Sequence, residues 1–412
     1  MTSSLRIALI ASSRFPIRQP FAGGLEAHVW HLARALAGCG HDVSIFAAPG
    51  SDPGIGSRTL DVRPLLISPS ARADVSMTAG PFLADHHAYL MLMMQLVRCT
   101  ADDFDIIHNH SLHYLPVAMA PMLATPMLTT VHTPPTPWLE SAIDASGGAG
   151  TRFAAVSQHT ASAWRHAIAD ISVVPNGIDT DRWPLGAGGD HLVWFGRITP
   201  EKAPHLAIDA ARRAGRDLVI AGPVSDSNYF EEHVSSHLGD QIRYAGHLHH
   251  EELARLVGGS AAALVTPVWD EPYGLVVAEA MCCGTPVIAF ARGGVPELVA
   301  PQSGQLVAPG DVAGMAAAVA EVENLSRAAV RQHALERCSA EAMLRGYLDL
   351  YRHTIDTHDE ESHDRLLHSP LRLRTSRTRD KHCREAGEPS HGVEFVTHTG
   401  TPSVRRGHSF SA

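Results

Sequence analysis

Short apolar runs separated by longer stretches of helical period recur along most of this chain. That is the pattern of β-α-β units feeding a parallel sheet. In the first half, runs at 6–11, 42–47, 106–109, 126–131 and 153–157 predict strands. Between the first two, Leu25, Val29, Leu32 and Leu36 share one helical face, and Gly38-Cys39-Gly40 supplies the stop. A second helix is expected over 82–97, with Met91, Met93 and Met94 as core filling. After 174–179 and the glycine-rich 185–190 the pattern restarts. Strands are predicted at 192–195, 218–221, 242–245, 262–266, 286–290 and 305–307, with helices near 203–214, 228–238, 249–257 and 275–283. The chain thus reads as two doubly wound α/β domains, 1–180 and 181–340, joined near 179–190, with 341–355 as a closing helix. Ligands of such sheets sit at the carboxyl ends of the strands, so a cleft between the domains is the expected site.

Residues 356–412 break the pattern. They carry seven histidines and equal numbers of acidic and basic residues, with no sustained period, and are expected to be disordered. Their charges cancel, so the net −10 belongs to residues 1–355. That charge argues against a protein that holds nucleic acid by its phosphates. It also weakens polybasic docking on an anionic membrane, while leaving peripheral contact open. Six cysteines without a CxxC pair exclude a zinc ribbon and do not resemble a disulfide framework, so a reduced, cytoplasmic setting is expected. The first fifteen residues lack the charged and apolar regions of a signal peptide, and no run approaches 18 apolar residues. Among 33 basic residues only Lys202 and Lys381 are lysines, which marks Lys202 as a place where arginine would not serve.

Four stretches carry candidate chemistry. Phe21-Ala22-Gly23-Gly24-Leu25-Glu26 joins the first strand to the first helix, where free N–H groups favour an anion; a plain tight turn accounts for the same residues. Gly196-Arg197-Ile198-Thr199-Pro200-Glu201-Lys202 leaves the first strand of the second domain with a fork donor and a point charge five residues apart. That pairing suits a diphosphate, against the alternative of a solvated loop. Glu271-Pro272-Tyr273-Gly274-Leu275 opens a helix that carries Glu279 in its second turn. Carboxylates there accept from sugar hydroxyls and the N–H groups between them suit phosphate, although an ordinary capped helix fits too. A second glycine loop, Gly293-Gly294-Val295-Pro296-Glu297, follows the next strand. Last, His108, His110 and His132 stand at the ends of neighbouring strands. One such histidine is usually packing, but two sets facing one cleft make His132 a candidate to touch substrate.

The segments GGLEAHV, IIHNHSLHYLP, TVHTPP, VPNGID, VWFGRITPEK, IRYAGHL, EPYGLVVAEAMCCGTPVIAF and GGVPELV occur in the order found in retaining glycosyltransferases of family 4. The resemblance covers roughly residues 5–350, and the second half looks most like bacterial tetrahydrobiopterin glucosyltransferases. It implies the GT-B fold, two Rossmann-like domains facing across a cleft. It also implies a nucleoside-diphosphate sugar of the UDP-glucose or GDP-mannose type as substrate, a hydroxyl acceptor, and no cofactor. By this resemblance Glu279 holds the ribose, and Arg197 and Lys202 hold the diphosphate with help from the Gly23-Gly24 backbone. Glu271 and the N–H groups after Gly274 hold the sugar, with Tyr273, Gly274 and Leu275 among the donor-binding residues; Leu248 flanks the base, and His132 lies near the reacting carbon. Ala203 stands where the family usually has glycine, and Val224-Ser225-Asp226 replaces a glycine-rich turn; both put local loop shape in question.

Two other readings of such a pocket are a nucleotide-sugar epimerase and a non-catalytic nucleotide-sugar-binding protein. The first needs acids and bases around the sugar instead of an acceptor groove, and the second sits poorly with intact Arg197, Lys202, Glu271 and Glu279. Asp103-Phe104-Asp105 and Asp179-Thr180-Asp181 both match the D-x-D metal motif. The first enters a strand and the second lies in the connection between domains, so no metal is expected.

Overall fold

The computed structural model describes residues 4–368 apart from 57, 61, 63, 76–78 and 101. In the first half, β1 (Arg6–Ile10), β2 (Asp42–Phe46), β3 (Arg58–Leu60), β4 (Ile106–Asn109), β5 (Met127–Val131), β6 (Thr151–Ala155) and β7 (Ile171–Val173) form one sheet. The strands are all parallel, in the order β3-β2-β1-β4-β5-β6-β7. Around them run α1 (Gly24–Gly38), α2 (Pro69–Arg72), α3 (Gly80–Leu96), α4 (Tyr114–Met119), α5 (Pro137–Ser146) and α6 (Gln158–Trp164). The edge strands β3 and β7 and the helices α2 and α4 to α6 have no counterpart in the sequence reading; three-residue strands and helices of one to three turns are too short to show a clear period.

The second sheet holds β8 (Leu192–Phe195), β9 (Leu218–Ala221), β10 (Ile242–Tyr244), β11 (Ala262–Val265), β12 (Val287–Phe290) and β13 (Gly304–Val307). It too is parallel, in the order β10-β9-β8-β11-β12-β13. Its helices are α7 (Pro204–Ala214), α8 (Ser227–His233), α9 (His250–Gly258), α10 (Leu275–Cys282), α11 (Val312–Val322) and α12 (Arg327–Arg337). The helix expected over 228–238 breaks at Val234, which leaves α-geometry with ψ of −54° at φ −124°, and a 3-10 turn follows. Each sheet changes direction once, at β1/β4 and at β8/β11, and a ligand crevice opens at such points.

The chain passes from the first sheet to the second and then back. Just beyond the second sheet, Ile178 N donates to Cys338 O at 2.7 Å and Ala340 N donates to Ile178 O at 3.1 Å. The two crossing segments touch so closely that a Cβ on Gly177 would lie 2.6 Å from Ala340 Cα, so no larger residue fits there. Helix α13 (Ala340–His368) then packs its Met343, Tyr347 and Tyr351 among Ile7, Leu9, Ile106 and Leu128 of the first sheet. Burying an apolar side chain of this size stabilises by roughly 1.5–3 kcal/mol.

This corrects the boundary expected at 355. The helix continues to His368, and the first of its extra turns is held: Arg152 Nη2 donates to Thr357 Oγ1 at 3.1 Å and His358 Nε2 meets Ala124 O at 3.1 Å. Tertiary partners on the first domain supply what the polar sequence does not advertise. Residues up to Asp364 form one compact unit, and of the second unit, from Arg365 on, only the end of α13 is described. The rest of the tail expected to be disordered lies outside the described residues. Among the described residues no helix is long and apolar enough to cross a membrane.

Tyr351 is the deepest test of this arrangement, being fully buried and bonded through its hydroxyl to His108 Nδ1 at 2.7 Å. Tyr351→Ala should cost about 3–5 kcal/mol in chemical unfolding of the first domain. Glu341→Ala, exposed on the same helix, should cost less than about 0.5 kcal/mol.

Candidate active site

The loops after β1 and β4 in one domain, and after β8 and β11 in the other, carry most of the predicted residues. Helix α1 begins at Gly24 with Gly23 as its N-cap. A Cβ on Gly24 would lie 2.8 Å from Leu275 Cδ1, and one on Gly23 would lie 4.0 Å from Arg197 Cδ. The amino end of α1 therefore faces both the start of α10 and the arginine after β8. Phe21, in the same loop, offers backbone to His247 beside Leu248, which brings that strand end to the cleft as well.

Lys202 and Glu271 form an ion pair, and Trp269 Nε1 donates to Glu271 Oε2 at 3.1 Å. The Lys202 Nζ also lies 5.2 Å from the Trp269 ring centroid. Resemblance gives these two residues separate tasks, phosphate and sugar; the structure joins them in one pair. Thr266, at the end of β11, holds the Lys202 loop from beneath: its Oγ1 bonds the carbonyls of Lys202 at 3.0 Å and Ala203 at 2.9 Å and accepts from Trp194 Nε1 at 3.1 Å. Ala203 sits in the left-handed region at φ 48°, which explains why glycine is usual there. Arg197 is paired only loosely, 3.6 Å from Glu201, with about a third of its side chain exposed.

Among the described residues Glu279 has no hydrogen-bond or ion-pair partner, and desolvation pushes its carboxyl up to about 8. Glu26, in the first turn of α1, is also pushed up by burial, offset in part by its own backbone N–H and by Arg197. Tyr273 differs from its expected place. Its side chain is buried in the second domain's core against Val277 and Leu298, so only its main chain can serve the cleft.

His132 follows β5, and its Nε2 meets His110 Nδ1 at 3.0 Å; His110 Nε2 lies 3.1 Å from His108 Nδ1. Burial holds His132 down at about 3, so it is a neutral hydrogen-bonding group and not an acid at neutral pH. His28, from α1, packs beside them with neither ring nitrogen paired. His28, His110 and His132 can bring ligand atoms within 4.8 Å of one another, the one such group among the described residues, but two of those nitrogens already bond each other. Neither D-x-D pair reaches this cleft chemistry. Asp105 accepts from Arg6 N at 2.7 Å at the amino edge of the sheet, Asp103 accepts from Thr100 N at 2.8 Å, and the Thr180 carbonyl between Asp179 and Asp181 is held by Arg331.

The residues that sequence reasoning missed are those that join the two domains. Ser157, the N-cap of α6, donates to Pro272 O at 2.6 Å, and Thr160 Oγ1 donates to the same carbonyl at 3.1 Å. The Glu297 carboxylate accepts from Gln158 N at 2.9 Å and His159 N at 2.7 Å, capping α6 from the other domain. The Gly293-Gly294 loop lies flat on Glu271 and Pro272: a Cβ on Gly293, at φ +64°, would come within 2.2 Å of Glu271 O. The sequence signal was there, since GGVPELV was noted without a task.

Similarity to known proteins agrees with this geometry. Residues 22–182 match the family model described as Glycosyltransferase Family 4, and 179–338 match Glycosyl transferases group 1. A glycogen synthase of Mycobacterium tuberculosis is 31% identical over 80% of this chain and 88% of its own length. A D-inositol 3-phosphate glycosyltransferase of Frankia alni is 30% identical over 82% of this chain and 97% of its own. Among solved structures, Anabaena HepE in complex with UDP and glucose superposes with TM-score 0.65 at 18% identity, over 84% of this chain and 99% of that one. With two facing Rossmann-like sheets and these matches spanning both, the chain belongs to the GT-B glycosyltransferases of the family 4 type.

Proposed function

We propose that this enzyme moves a hexosyl group from a nucleoside diphosphate sugar to a hydroxyl of a small-molecule or glycan acceptor, with retention and without a metal ion or cofactor. The observation that carries the reading is convergence: Arg197 and the Lys202–Glu271 pair meet the amino ends of α1 and α10 in one cleft, while α10 carries Glu279 in its second turn. As the bond from the anomeric carbon to the phosphate oxygen breaks, its electron pair goes to the diphosphate. Arg197, Lys202 and the helix N–H groups meet that charge. The acceptor oxygen bonds the same carbon on the face the diphosphate leaves, and its proton passes to the departing phosphate oxygen. Glu279 accepts from the ribose hydroxyls, and neutral His132 hydrogen-bonds the sugar. A donor of the UDP-glucose type is favoured by the complex of HepE with UDP and glucose, with GDP-mannose as the other candidate. Incubation with each nucleotide sugar and a hydroxyl acceptor, with the product anomer read by NMR, tests the reading; an inverted product sinks retention.

Lys202→Ala and Arg197→Ala should each lower kcat by roughly 10²–10³, the loss typical of removing one charge donor to the transition state. Turnover within a few-fold of the parent in both would refute the assignment.

Glu279 predicts a pH dependence. Its folded-state value of about 8 lies above the ordinary 4.5, so the ionised form opposes folding. Its contribution to stability is full below 4.5 and drains away as pH rises through 8. Glu279→Gln should therefore melt above the parent at about pH 8 and converge with it at about pH 4.5, while raising the donor KM by about tenfold. Equal melting at both pH values would remove the desolvation argument.

Transfer should continue in excess EDTA, and added Mg²⁺ or Mn²⁺ should change the initial rate only modestly. Asp179→Asn should behave like the parent. Complete, Mn²⁺-reversible loss in EDTA, shared by Asp179→Asn, would mean that a cation and not Arg197 and Lys202 stabilises the leaving group.

A further inference from the structure

The first domain carries a staircase of stacked rings that the chemistry above does not use. At its exposed end Trp138, the second residue of α5, is 57% exposed. Its ring stacks on Tyr114 at 5.5 Å between centroids with 26° between planes, and Phe82 lies against it at 5.5 Å. Tyr114 stacks in turn on His113 at 4.5 Å, and His113 on buried Tyr89 at 4.4 Å. The Tyr89 hydroxyl donates to Ala11 O at 2.8 Å and accepts from Ser13 N at 3.2 Å, in the loop after β1. The exposed ring is thus braced through four aromatic layers to the end of the central strand. A surface tryptophan held this rigidly loses little conformational entropy when it binds something.

Topology places the staircase at the reaction cleft. Trp138, Tyr114 and Phe82 stand in the first turns of α5, α4 and α3, and the amino ends of α4 and α5 lie at the carboxyl edge of β4 and β5. That edge also bears Gly23, Gly24, His110 and His132. Five residues separate His132 from Trp138, and they include Pro134, Pro135 and Pro137. The six Cα–Cα steps reach at most about 20 Å, so the platform lies within a few sugar units of His132.

We propose that this staircase is the acceptor subsite and that the acceptor is a saccharide, whose ring stacks on Trp138 with its hydroxyls directed to the polar rim. The proposal rests on the glycosyltransferase reading above. A pyranose offers one apolar C–H face and a rim of hydroxyls, and sites for such ligands combine flat apolar walls with a few placed polar groups. The stack is flanked by polar groups: Arg14, about half exposed and paired with buried Asp85 beside Ser13, and His86 bonded to the Tyr114 hydroxyl at 2.7 Å. A lipid surface is the poorer fit. Lys202 is the one lysine among the described residues and the chain's net charge is −10, whereas attachment to anionic lipid calls for clustered basic residues. His113 adds a limit on motion: its Nδ1 caps α4 by accepting from Leu115 N at 3.2 Å, which holds its ring in the stack.

The test is binding of the fluorescently labelled full chain to a broad array of immobilised glycans, run with Trp138→Ala and Trp138→Phe. The parent should capture a defined set of saccharides. Trp138→Ala should weaken that capture at least about tenfold, and Trp138→Phe should keep most of it. All three should hydrolyse donor sugar equally in the absence of acceptor, because Trp138 lies outside the donor site. Capture unchanged in Trp138→Ala, or no capture by the parent, overturns the proposal. So does Trp138-dependent binding to phosphatidylglycerol vesicles, or a Trp138-dependent dimer in gel filtration. Absence of donor hydrolysis in the parent would count against the glycosyltransferase reading, a result distinct from failure of glycan capture.

Discussion

The carbonyl of Pro272 accepts hydrogen bonds from two hydroxyls of the opposite domain, Ser157 and Thr160, and the relative placement of every cleft residue depends on that junction. Pro272 follows Glu271, the partner of Lys202, and precedes the turn that starts α10. A shift at the junction therefore moves the ion pair and the helix amino end together against α1. Glu297 strengthens the contact by giving a carboxylate to the amino end of α6, where free N–H groups and the helix dipole favour negative charge. Since the two hydroxyls, the carbonyl and the carboxylate all find partners, the contact fixes orientation without leaving buried polar groups unpaired. Gly293 and Gly294 permit it, because side chains there would push the capping loop off Glu271 and Pro272.

The cleft on either side of this junction is chemically unfinished. Lys202 and Glu271 satisfy each other, but Glu279 is desolvated without a partner, and Glu26 is buried facing Arg197. Such groups oppose folding, and a substrate whose hydroxyls and phosphates complete them relieves that cost as it binds. The histidines follow a different logic. His28, His108, His110 and His132 are all held in the neutral form by burial, so they supply hydrogen bonds and shape with no positive charge to compete with Arg197 and Lys202 for the diphosphate.

Sequence pattern alone located the long core strands well, because strands buried on both faces read as continuous apolar runs; 192–195 and 218–221 coincide with β8 and β9. It failed where structure comes from long-range contact. Residues 356–368 look polar and aperiodic, yet α13 runs on through them, with Thr357 bonded to Arg152 and His358 to the Ala124 carbonyl. The site shows the same division. Arg197, Lys202, Glu271 and Glu279 stood out in the sequence because charged residues at strand ends and within an apolar helix are unusual. The Lys202–Glu271 pairing, the retreat of Tyr273 into the core, and the parts played by Ser157, Thr160, Thr266 and Glu297 were not legible. Each depends on which distant segment folds beside it, and small hydroxyl residues carry no periodic mark.

The return of α13 to the first sheet has a consequence for synthesis. The first sheet's last strand ends at Val173, but the tyrosines that close its core, Tyr347 and Tyr351, follow the whole second domain. A ribosome adding roughly 5–20 residues per second makes the amino-terminal sheet wait tens of seconds, or nearly so, for its own closing helix. During that interval the apolar face around Ile7, Leu9 and Leu128 is uncovered, while the second domain can already assemble. The amino-terminal sheet is thus made first but completes its core last, when α13 follows the end of α12 at Arg337.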